Sequence, residues 1–181
     1  MTEITNPLLQ KLDLMLLGDG FNFYLAENRL RADDLLVRQK ACAPLGDAAR
    51  RIGELAIEFQ NNHIPAPTRD QPYPPAELTA ILRQLTELRA RISGMAARIQ
   101  GLPAPAQDRI WRRFRNEQGL LEQLLVADAD MLENSGHIQR LCAALTCPEL
   151  KSPVAGMAIS NALDQLDTAC NRRRSLLEIP G

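Results

Sequence analysis

Apolar residues recur at alternating intervals of three and four through Leu78, Ile81, Leu85, Leu88, Ile92, Met95, Ile99 and Leu102. On an α-helix this spacing lines eight side chains into one narrow seam, roughly 38 Å long at about 1.5 Å per residue. A single helix cannot bury such a seam, so a second helix must lie along it. Leu45, Ala48, Ile52, Leu55 and Phe59 repeat the spacing, and Ile159, Leu163, Leu166, Cys170 and Leu177 trace an inner face near the C-terminus. No stretch sustains the period-two alternation of a half-buried strand, and no Asn-Gly pair marks a hairpin.

Punctuation divides the chain. Asn6-Pro7 suits the start of a helix ending near Leu17, with Gly18-Asp19-Gly20 after it. A second helix begins near Phe21. Pro44 lies inside it and removes a backbone donor while crowding the carbonyl of Lys40, so a kink or short break is expected there, with helix resuming through Phe59. Residues 63–75 hold five prolines and read as an extended crossing loop. The seam helix follows over about 75–101, and Leu102-Pro-Ala-Pro-Ala turns the chain. A helix over about 106–132 is expected to break at Asn134-Ser135-Gly136, leaving a short helix over 137–145. The last helix covers about 153–178. These elements predict an all-α fold: an antiparallel four-helix bundle of long helices, with an extra N-terminal helix and a Pro-rich crossing loop, in one domain over 1–181.

Charges beside the seam refine the picture. Its flanks carry Arg89, Arg91 and Arg98, with no acid to pair them in a parallel self-association. The helix covering the seam should therefore bring carboxylates, either Asp164 and Asp167 or Glu54 and Glu58. That favours an internal bundle over a two-stranded homodimeric coiled coil, while a homodimer through another face stays open.

Composition agrees. Hydrophobic residues make up 45% and charged residues 24%, which is ordinary for a globular chain, and the aromatic share of 4% with only three valines suits helix. A net charge of −1 supplies no field to draw the whole molecule to nucleic acid or an anionic membrane. No apolar run approaches the roughly 20 residues that span a bilayer. The opening residues lack the basic and apolar regions of a signal peptide, so a cytoplasmic location is expected. Four cysteines are too few for a disulfide scaffold in 181 residues.

Candidate chemistry is sparse. His63 and His137 are the only histidines, and no Glu-x-x-His pair suggests a di-metal bundle. His137, Cys142, Cys147 and Cys170 form a conceivable metal or redox set, but without Cys-x-x-Cys spacing, so neither metal nor cofactor is expected. No nucleophile elbow, P-loop or dinucleotide-binding glycine motif is present. Two polar surfaces stand out. Arg109, Arg112, Arg113 and Arg115, interleaved with Trp111 and Phe114, place four cations in the first turns of a helix, against its dipole. An acidic partner would relieve that conflict. Tyr24, Asn28, Arg31 and Asp34 or Arg38 recur at near-helical spacing as a polar stripe beside apolar positions, suited to an interface or a buried network. The function expected is thus non-enzymatic: protein–protein contact as an adaptor, assembly factor or accessory subunit. A small-ligand, cofactor or metal-binding bundle, in one form an enzyme, is the alternative. Nucleic-acid or phosphate binding through Arg109–Arg115 comes third.

Overall fold

The computed structural model describes residues 26–66, 68–69, 71–102, 118–151 and 153–177, with the side chains of all but 26–34, 118, 121, 151 and 153–155. Among these residues every regular element is helical: α1 (Ala26–His63), α2 (Ala76–Gln100), α3 (Gln118–Ala144), a 3-10 turn (Cys147–Lys151) and α4 (Pro153–Leu177). There is no strand among them, and no described helix is long and apolar enough to cross a membrane. The four helices form a helical bundle. The helix expected over 6–17 lies outside the described residues.

Two expected breaks are absent. Helix α1 passes through Pro44 without interruption. A proline inside a helix forfeits one hydrogen bond and costs about 3 kcal/mol. Here Ala41, Leu45, Ala48 and Ile52, all fully buried, hold the turns on both sides against the core. Their burial outweighs the lost bond. Helix α3 likewise continues through Asn134-Ser135-Gly136. The Asn134 amide donates to the carbonyl of Asp130 at 2.9 Å, and the buried Ser135 hydroxyl to that of Met131 at 2.6 Å. Each thereby turns its hydrogen-bonding capacity back onto the helix instead of competing with it. The expected long loop is present between α1 and α2, where Pro75 adopts the polyproline II region at φ −52° and ψ 137°.

Side-chain contacts fix the register. Arg38 of α1 reaches the end of α2 at residues 100–102, Cys42 meets the carbonyl of Ala96, and Gly53 faces Arg89. Numbers therefore rise along α1 as they fall along α2. Asp47 accepts from Gln139 at 3.0 Å, and Arg51 donates to the carbonyl of Leu145 at 3.2 Å, so α1 and α3 run in the same direction. Helices α1 with α2, α3 with α4 and α1 with α3 pack extensively, whereas α2 and α4 touch much less. Helices α1 and α3 are thus central. Two of its arginines also cap neighbours: Arg38 donates to the carbonyls of Gln100 and Leu102, both at 3.1 Å, and Arg51 serves the end of α3. A cation at a helix C-terminus meets unsatisfied carbonyls and the negative end of the dipole.

Candidate docking groove

The seam on α2 is only half closed. Leu85, Ile92, Ile99 and Leu102 are buried, but Leu78, Ile81, Leu88 and Met95 are only partly covered. The first set faces α1. The second points toward α4, which approaches α2 mainly through polar straps. Arg91 donates to the Ser160 hydroxyl at 3.1 Å and to Asp164 at 3.4 Å; Arg98 pairs with Asp167 and donates to Asn171 at 2.6 Å. Of the two carboxylate pairs expected along the seam, the one on α4 meets Arg91 and Arg98. Arg89 turns the other way, and its guanidinium lies 3.4 Å from where a Cβ on Gly53 would stand.

Beyond Arg91 the two helices leave a cleft of about 850 Å³. Its floor is the first half of the seam, Leu78, Ile81, Leu85 and Leu88, with Leu145, Leu150 and Met157 opposite. Met157 is 62% exposed at the edge of the cleft. A smaller gap of about 310 Å³ continues the cleft past Arg91 toward Met95 and Leu163. The apolar trough is therefore bridged by Arg91 and strapped at its far end by Arg98.

Three carboxylates edge the larger cleft: Glu77, Glu87 and Glu149. Glu77 stands in the first turn of α2. Glu149 accepts from the backbone N–H and hydroxyl of Thr146 at 2.9 and 2.8 Å, which holds its carboxyl below the usual range. This Thr146-x-x-Glu149 pair is a capping box that starts the 3-10 turn. Glu87 lies 3.8 Å from Arg83 one turn earlier, with both ends exposed. Among the described residues the cation on the lining is Arg91, which is already matched by Asp164.

A second polar feature lies inside the bundle. Arg173 is 0% exposed and donates from Nε to Oδ1 of Asp128 at 2.7 Å. In the sequence Arg173 stands between Arg172 and Arg174 near the end of α4. Yet it occupies a seam position, since Leu163, Leu166, Cys170, Arg173 and Leu177 alternate at three and four. On α3 the buried series Leu124, Asp128, Met131, Ser135, Ile138, Cys142 and Leu145 does the same. Two charged residues facing each other across two seams were the available signal.

The sequence-marked surfaces are placed unevenly. Tyr24 and the Arg109, Trp111, Arg112, Arg113 and Arg115 cluster lie outside the described residues. Asn28, Arg31 and Asp34 fall on the first turns of α1, where side chains are not described, and Arg38 caps α2. The thiol set is not brought together: His137 is exposed on α3, Cys142 and Cys170 are buried in the core, and Cys147 sits half-buried on the 3-10 turn. Among the described residues no group of three or more His, Cys, Asp or Glu is placed to hold a metal ion. Burial pushes the thiols of Cys42 and Cys170 upward, and that of Cys142 to about 11, so these remain neutral and unreactive at neutral pH.

The fold and the groove thus define an all-helical protein with an open seam between two of its helices. The chain matches no protein-family profile, no curated protein and no solved structure.

Proposed function

We propose that this chain is a non-enzymatic helical-bundle protein, antiparallel in its α1–α2 and α3–α4 pairs and extended by an N-terminal helix. It acts in the cytoplasm by protein–protein contact, as an adaptor, assembly factor or accessory subunit. The observation that carries this reading is the half-open seam. Four regularly spaced apolar residues of a continuous helix line a cleft that the chain's own α4 does not fill. Burying apolar surface contributes about 25 cal/mol per Å², so such a strip gains most from a partner that completes it. The Tyr24–Arg38 stripe and the Arg109–Arg115 cluster serve in this proposal as further contact surfaces.

The test is co-purification of the full chain from its source cells. Wild type is expected to retain a protein in fixed proportion. Met157→Glu, at an exposed position the fold tolerates, and Ile81→Glu, checked for helicity, are each expected to lose it. Retention of no protein by wild type would overturn the reading.

A further inference from the structure

We infer that the open half of the seam receives the apolar face of a partner-protein helix, three to four turns long, whose flanking positions carry lysine or arginine. This deepens the protein-contact reading and rests on it.

Length comes from the floor. Leu78 to Leu88 spans ten residues, about 15 Å of helix and close to three turns. Shape comes from the walls. Arg91 with Ser160 and Arg98 with Asn171 show α2 and α4 running in the same direction on either side of the trough. A straight channel between two parallel helices fits a third helix, whose residues at three- and four-residue intervals supply the layer that Ile81 and Leu88 lack.

Charge comes from the rim. Among the described residues Glu77, Glu87 and Glu149 edge the cleft, while Arg91 is matched by Asp164. Glu77 and Glu149 also offset the positive ends of the turns they begin, and Glu87 has Arg83 nearby, so each is a moderate attractor. Together they favour cations and repel an acidic helix.

An external occupant is favoured by where the chain leaves the described residues. Arg38 holds the end of α2 at Gln100 and Leu102, and Asn171 meets Arg98 near that same end. Stretches 1–25, 103–117 and 178–181 therefore all attach at the end of the bundle opposite the groove. From Leu102 back to Leu85 is about 26 Å along α2, too far for four residues or for a helix within a stretch tied at both ends. Residues 1–20 carry Glu3, Asp13 and Asp19 against Lys11 alone and do not suit an acidic rim.

The test is selection of a displayed library of about fourteen-residue helices against the full chain. Leucines are fixed at alternating intervals of three and four, and flanking positions are randomised among lysine, glutamate, glutamine and serine. Recovered clones are expected to be enriched in flanking lysine. A synthesised clone is expected to bind about tenfold more weakly to the Glu77→Lys, Glu87→Lys double variant, and at least as much more weakly to Met157→Glu. Enrichment of acidic or neutral flanks would overturn the proposal, as would binding indifferent to these variants or no recovered clone. Two other occupants are also decided. Recovery of binders only after deletion of residues 1–20 would seat the chain's own N-terminal segment in the groove. A dimer by light scattering, dissociated by Met157→Glu, would seat a second copy. Either outcome overturns the partner-helix proposal. If the library fails while co-purification succeeds, the contact reading stands and the site moves; if co-purification fails, the reading itself falls.

Discussion

Replacing Arg173 with methionine is expected to destabilise the fold by about 3–5 kcal/mol, the range for removing one member of a buried ion pair. The guanidinium is fully enclosed, and its Nε donates to Asp128 at 2.7 Å. Methionine fills much of the volume but leaves the Asp128 carboxylate in a low-dielectric core without that bond. The carboxylate must then either stay charged at high cost or take up a proton. A chain of this size commonly has 5–15 kcal/mol of stability in total, so the loss is a large fraction of it. Thermal unfolding should move down by roughly 10 °C. The double replacement Arg173→Met with Asp128→Leu is expected to recover much of that stability, because the Asp128 charge is removed together with its Arg173 partner. Equal destabilisation by the single and double variants would show that packing around Arg173, and not its charge pair, holds α3 to α4.

The second large effect separates the closed side of the seam from the open one. Ile92 is fully buried in the core, whereas Leu88, one position earlier in the seam, is only partly covered. Ile92→Ala removes buried methyl groups and leaves a cavity, at a cost of about 3 kcal/mol. Leu88→Ala removes a side chain that already faces the groove, and the expected loss is about 1 kcal/mol. Urea denaturation of the two variants measures the difference directly. Comparable losses would mean that the groove is closed in solution.

Much of this architecture is legible in the residue pattern. The three-four spacing of α2 and the buried half of α1 follow from it. The need for acids opposite the flanking arginines follows too. The pattern leaves Asp164 with Asp167 and Glu54 with Glu58 equally open, however, and only the structure sets the first pair against Arg91 and Arg98. Other features are not, for identifiable reasons. Pro44 and Asn134-Ser135-Gly136 signal helix breaks locally, but tertiary burial and back-bonding to the carbonyls four residues earlier override them. Arg173 and Asp128 look like surface residues because each is charged, and only their positions within two seams betray burial. The open half of the seam is invisible to periodicity. Spacing shows which face of a helix is apolar and not how closely its neighbour approaches. Here α4 meets α2 through Arg91 and Arg98 and leaves the apolar strip between them open.

The most direct measurement is site-specific photo-cross-linking in the source cells, with the photoreactive residue at Met157 or at Ile57. The two positions are equally exposed, at 62% and 61%, but only Met157 borders the groove. A partner seated in the open seam gives a discrete protein adduct from position 157 and none from position 57, and Ile81→Glu abolishes it. Equal labelling from both positions, or none from position 157, would contradict protein contact at this site.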